Sequence, residues 1–145
     1  MYIPSILSKD NVLTSEDHDC LFCRQNDPSV NTIMAQSENF YVRLDNFPAT
    51  KGHVEIVPKR HIESFFELTP EEMSEAYALM QSTQQDLLKT HQPDGFTIGI
   101  NDGRAAGRTV DHLHIHLIPR YIGDVSDPRG GIRQVVPNFE PDLWS

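Results

Sequence analysis

Basic charge is scarce in this sequence. Its 145 residues carry 12 Lys and Arg against 21 Asp and Glu, a formal net charge of -9. A protein that binds duplexes by neutralising many phosphates needs a basic surface, so this balance argues against general nucleic-acid binding. No apolar run is long enough to span a bilayer. The first 19 residues contain no basic stretch followed by an apolar one, so no signal peptide is expected and a cytoplasmic location is the default. Cysteine is nearly missing. Cys20 and Cys23 are the only two, which excludes a disulfide framework, and their C-x-x-C spacing suggests metal or redox chemistry instead. Repeats and an internal linker are also lacking. A chain of this length with 38% apolar residues can build one domain around a real core.

What the chain does have is histidine at alternate positions. Asp111-His112-Leu113-His114-Ile115-His116-Leu117-Ile118-Pro119-Arg120 reads as a strand. Side chains in a strand alternate faces, so Leu113, Ile115 and Leu117 can enter a core while His112, His114 and His116 line the opposite face. Neighbouring imidazoles on that face would be roughly 7 Å apart, close enough for all three to meet one phosphate-sized group. The alternatives are a satisfied core row or a metal cluster. Crowded titratable groups more often mark a functional site. Arg104, Arg108, Arg120, Arg129 and Arg133 flank the row, and five arginines around it suggest a local anion site in an otherwise acidic protein.

The remaining pattern is that of an α+β domain with an antiparallel sheet. Residues 1–19 read as a flexible N-terminal arm and residues 20–145 as a single domain. Strands are expected over 31–35, 40–44, 53–57 and 96–100. In the third of these, Val54 and Ile56 should face one way and His53 and Glu55 the other. Thr69-Pro70-Glu71-Glu72 offers an N-cap, a proline at the first helical position and a capping-box glutamate. The helix that follows should end near Thr90-His91, with Met73, Ala76, Tyr77, Met80 and Leu87 as its core stripe.

His112-Leu-His114-Ile-His116-Leu-Ile matches the signature of the histidine triad (HIT) family. Cys20-Leu-Phe-Cys23, Asp45, Gly52-His53, Pro58-Lys-Arg-His61, Asn101, Gly107 and Thr109 occur in the family's order. The chain therefore resembles HIT nucleotide-binding proteins and hydrolases of the bacterial, zinc-bearing type over roughly residues 20–121. The resemblance implies a HIT fold with a five-stranded antiparallel sheet, one long and one short helix, and a homodimer. It implies a catalytic set of His112, His114, His116 and His53. His114 would attack a nucleoside α-phosphate and form a covalent nucleotidyl-histidine, with His116 donating to a phosphate oxygen. Asn101, Thr109 and amides near Gly107 would position the phosphate, and Asp45 would accept the ribose hydroxyls. Leu21, Phe22 and Leu44 are candidates for the base pocket.

Relatives often carry glutamine where this chain has Arg108. That arginine could hold a polyphosphate leaving group or point to solvent. The resemblance also makes Cys20, Cys23, His61 and His112 a structural zinc site; two reduced, packed cysteines are the alternative. The expected substrates are purine nucleotides, with a lean toward dinucleoside polyphosphates. A nucleoside phosphoramidase and a nucleotide sensor with little turnover are the competing functions.

Overall fold

The computed structural model describes residues 19–136 and Glu140. The expected arm, apart from Asp19, and the segment containing Trp144 lie outside the described residues. Five strands, β1 (Ile33–Gln36), β2 (Phe40–Leu44), β3 (Val54–Pro58), β4 (Gly95–Gly99) and β5 (Ile115–Arg120), form one sheet. Its order is β1-β2-β3-β5-β4, with every neighbouring pair antiparallel. One α-helix, α1 (Pro70–Thr90), lies between β3 and β4 in sequence. Besides α1, the described residues hold 3-10 segments at Phe65–Glu67, Arg104–Ala106 and Gly131–Val135. No helix among them is long and apolar enough to cross a membrane.

The sequence dictates where α1 begins. Thr69 accepts the Glu72 N–H, and Glu72 accepts the Thr69 N–H in return, so two otherwise orphaned donors are satisfied. The core face of α1 is Ala76, Leu79, Thr83 and Leu87. Tyr77, expected in that stripe, is 63% exposed, and Leu79 takes its place. Positions 76, 79, 83 and 87 keep the three- and four-residue spacing of a helical face; Tyr77 lies one step round the helix from it. Thr83 can be buried because its hydroxyl donates to the Leu79 carbonyl at 2.7 Å.

Period-two alternation gives the sheet two different faces. Phe40, Val42, Val54, Ile56, Ile115 and Leu117 pack with α1 in the main core, and Leu44 packs against it. Tyr41 and Val57 face the other way and join Cys20 and Phe22 in a second cluster. Register aligns the polar residues of this second face. Arg43 is opposite Glu55, and Glu55 is opposite His116.

Candidate active site and metal centre

The histidine segment is not a continuous strand. Pairing of β5 with β3 stops at Ile115 opposite Ile56, and β3 ends at Pro58. Beyond that point the Leu113 N–H donates to the Ile62 carbonyl instead of to a strand partner. His112 and His114 therefore precede β5, and only His116 lies within it. The three imidazoles stay on the side of the sheet away from α1, where the Phe22 ring is 5.8 Å from that of His112 and 4.9 Å from that of His114. They divide between two sites.

His112 belongs to the first site. It is fully buried, and its Nε2 donates to the Pro58 carbonyl at 2.7 Å. In a neutral ring Nδ1 is then the lone-pair nitrogen. It lies 3.3 Å from Cys20 Sγ, 3.5 Å from Cys23 Sγ and 3.2 Å from His61 Nδ1. Cys23 Sγ is also 3.2 Å from His61 Nδ1. All four donor atoms lie within 4.8 Å of one another. The edges of a tetrahedral zinc site with two sulfur and two nitrogen ligands are ~3.3–3.8 Å, given the usual bond lengths. The donor set and its spacing fit zinc, and the His112–Pro58 contact is the outer hydrogen bond that fixes a ligand's tautomer. The Cys20 thiol is pushed down to about 2, chiefly by its hydrogen bond with Cys23 and further by His112 and His61. His112, expected among the catalytic histidines, thus has both ring nitrogens engaged away from the open face.

His114, His116, His53 and Asp45 form the second site. His114 Nδ1 donates to the His112 carbonyl at 2.8 Å, which leaves Nε2 with a lone pair. The His114 and His116 rings are 5.0 Å apart. His53 Nδ1 accepts the Ala49 N–H at 3.0 Å, and His53 Nε2 lies 2.9 Å from His116 Nδ1. Asp45 Oδ2 is 3.3 Å from His53 Nε2 and 3.7 Å from His116 Nδ1. Its Oδ1 accepts the Phe47 N–H at 2.8 Å, so the loop after β2 holds the carboxylate in place.

Burial disfavours the charged imidazoles. It lowers His114 and His53, and together with the His114 and His53 rings it takes His116 down to about 4. Neutral rings at neutral pH can act as nucleophile and as hydrogen-bond donor.

Arg43 and Glu55 were not among the sequence candidates. They form a buried ion pair beneath His114, and Glu55 Oε2 lies 3.8 Å from His114 Nε2. Burial, with Asp45 adding, pushes Glu55 up to about 7 against the opposing pull of Arg43. Asn31 was missed as well. Its Oδ1 accepts Arg43 Nε at 2.7 Å, and its Nδ2 donates to the Leu21 and Arg24 carbonyls, which fastens the Cys20–Cys23 segment to β2. One signal was available. Arg43 and Glu55 sit in apolar strands joined by one loop, and hairpin-type pairing sets opposite charges face to face.

Several other expectations are corrected. Phe22 is only 2% exposed; its ring is 4.9 Å from that of His114 and carries the Arg43 guanidinium 5.0 Å above it. It is packed between His114 and Arg43 and closed to solvent. Leu44, on the α1 side of the sheet, is turned from the expected base pocket by strand alternation. Gly107 adopts φ 95°, which suits glycine, but its N–H donates to Arg104 O at 3.0 Å, and the Arg108 N–H donates to Gly103 O at 3.2 Å. Those amides are committed to their own turn.

Arg108 is clasped by Asp111 at 3.1 Å and Glu63 at 3.5 Å. Arg104 pairs with Asp111, Arg120 with Asp124 and Arg129 with Asp127. These four arginines are answered locally by carboxylates and are not gathered around one anion. Asn101 and Thr109 are exposed on the loop between β4 and β5. Thr109 lines a groove of about 630 Å³ beside the cysteine–histidine cluster, together with His61 and Glu63.

The fold and the paired histidine sites define a histidine triad domain. The HIT domain family model matches residues 30–123, and the chain belongs to this family. It is 37% identical over 106 residues to an uncharacterized HIT-like protein of Methanocaldococcus jannaschii, covering 72% of this chain and 81% of that protein. The crystal structure of a zinc-bound histidine triad family protein from Mycobacterium smegmatis superposes with a TM-score of 0.68 at 33% identity, covering 77% of this chain and 81% of that one. Two further relatives carry names that state an activity. One is an AP-4-A phosphorylase of Mycobacterium tuberculosis, 33% identical over 95 residues, 65% of this chain. The other is an asymmetrical bis(5'-nucleosyl)-tetraphosphatase of Schizosaccharomyces pombe, 38% identical over 80 residues, 55% of this chain. The matches span 49% and 44% of those two proteins.

Proposed function

We propose that this protein is a nucleotide hydrolase that cleaves at a nucleoside α-phosphate through a covalent nucleotidyl-His114, with dinucleoside polyphosphates as substrates. The observation that carries this reading is the tautomer of His114. With its Nδ1 proton on the His112 carbonyl, Nε2 is available as a nucleophile without prior loss of a proton. The neighbouring chain of contacts supplies the donor. Ala49 N–H occupies His53 Nδ1, His53 Nε2–H faces His116 Nδ1, and the proton of His116 then resides on Nε2. A donor there suits a non-bridging phosphate oxygen whose charge grows in the transition state. The tetraphosphatase and phosphorylase relatives favour polyphosphate substrates.

The same reading includes a structural zinc ion held by Cys20, Cys23, His61 and His112. Bound zinc would contribute a closed, four-ligand crosslink and no open position for substrate. Its effect on chemistry would be indirect: His112 held by the metal keeps its carbonyl under His114 Nδ1. A homodimer is part of this reading too, and analytical ultracentrifugation tests it.

The activity test is a chromatographic product assay with diadenosine tri- and tetraphosphate and adenosine phosphoramidate, with and without inorganic phosphate. AMP release that falls by several orders of magnitude in His114→Asn supports the hydrolase. ADP formed only with phosphate converts the reading to a phosphorylase. Equal, slow turnover by wild type and variant sinks the enzyme and leaves a nucleotide sensor.

A further inference from the structure

The ion pair beneath His114 is not used by the reaction as described. Arg43 and Glu55 are 2% and 3% exposed. Beyond Glu55, Arg43 donates Nε to Asn31 and Nη2 to the Val30 carbonyl at 3.0 Å, with Phe22 against its guanidinium face. So anchored, it cannot swing toward a ligand. Glu55 receives Arg43 on Oε1, and Oε2 faces His114 Nε2 at 3.8 Å. Apolar side chains could fill the same space at less cost to the fold. The pair therefore calls for a role other than packing, and the atom it faces is the reacting nitrogen.

We propose that Glu55, locked in place by Arg43, is a positioning residue acting through His114, where its carboxylate stabilises the positive ring formed when a nucleotide is bonded to Nε2. This rests on the nucleotidyl-histidine reading above. In the first step the Nε2 lone pair forms the N–P bond, and the bond from phosphorus to the leaving oxygen breaks, that oxygen keeping the electron pair. Nδ1 retains its proton on the His112 carbonyl, so the ring becomes a nucleotidyl imidazolium of charge +1. A fixed anion 3.8 Å away, shielded from water, lowers the energy of that ring and of the transition state leading to it. In the second step a water oxygen bonds to phosphorus, the N–P pair returns to Nε2, one water proton passes to solvent and the ring is neutral again. The carboxylate thus favours formation of the intermediate and does not help its breakdown.

That asymmetry is the test. Glu55→Gln keeps the shape and an acceptor for Arg43 but removes the charge. Single-turnover reactions with diadenosine tetraphosphate at pH 8 are quenched in alkali, which spares the N–P bond, and the labelled His114 peptide is measured by mass spectrometry. Formation of the adduct should slow roughly 10²-fold, while breakdown of preformed adduct does not slow. A purely structural role would slow both steps together, and that result, or no change in either, overturns the proposal. If Glu55→Gln does not fold, the double variant Arg43→Met, Glu55→Leu removes both charges without leaving one buried alone and should show the same asymmetry. Absence of any adduct in the wild-type protein overturns the nucleotidyl-histidine reading and this proposal together. An adduct in the wild type with unaltered kinetics in the variants overturns this proposal only.

Discussion

His53 Nε2 meets His116 Nδ1 at 2.9 Å, while the other nitrogen of His53 accepts the Ala49 N–H at 3.0 Å. A backbone amide in the loop before β3 thereby sets the protonation pattern of a ring on β5. The arrangement works only with neutral imidazoles, and this links stability to pH. As pH falls below about 6.5 the unfolded chain takes up protons on these rings, whereas folded His116 resists until about 4. Protons then favour the unfolded state. The stability is fully present above 6.5 and is lost as pH falls through that window. His53, also lowered by burial, acts in the same direction. Glu55 opposes them. Raised from 4.5 to about 7, it contributes stability that is complete below 4.5 and is lost as pH rises through 7. Three rings, His116, His53 and His114, are lowered against one raised carboxyl, so urea midpoints should fall between pH 7 and pH 5. His116→Asn should flatten that slope. A midpoint that rises on acidification contradicts the assignment.

Removing a metal ligand tests the crosslink. The purified, untagged protein should carry one zinc per chain by elemental analysis, and Cys23→Ala should carry none. Zinc present at 1,000 times its dissociation constant stabilises a fold by about 4 kcal/mol, so chelation should lower the urea midpoint correspondingly. A midpoint indifferent to both chelator and Cys23→Ala would leave Cys20 and Cys23 as packed thiols.

Arg108 provides a negative prediction. Because Asp111 and Glu63 already engage its guanidinium, Arg108→Ala should alter kcat/KM for diadenosine tetraphosphate by less than about threefold. A much larger loss in the product assay would mean that the side chain leaves its clasp to meet the polyphosphate.

Gly52 is a backbone requirement of the loop that carries His53. Its φ is 87°, and a Cβ there would lie 3.2 Å from side-chain atoms of both His91 and Leu87 at the end of α1. Gly52→Ala should destabilise the protein by at least about 1–2 kcal/mol in urea titrations, from the left-handed backbone cost alone. A neutral effect would show that loop and helix end can part freely.

Thr69→Ala is a control remote from the site. Loss of the N-cap acceptor for Glu72 N–H should cost about 1 kcal/mol of stability, read as a lower urea midpoint, with nucleotide turnover unchanged.

The helix start, β2, and the two faces of β3 were all legible in the sequence, because capping, period-two alternation and turn residues act over a few neighbours. The ligand set Cys20, Cys23, His61 and His112 was legible only through family likeness, since its members come from three separate segments. The sequence by itself determined that three histidines would stand beside an apolar row and that the chain would build an α+β domain. The tertiary structure alone decided which histidine serves which site. Pairing of β3 with β5 ends at Ile115, and in the segment before it His112 meets the cysteines while His114 lies against Phe22. It also decided that Arg43 and Glu55 lie together beneath His114, because strand register is a long-range choice that local pattern cannot resolve.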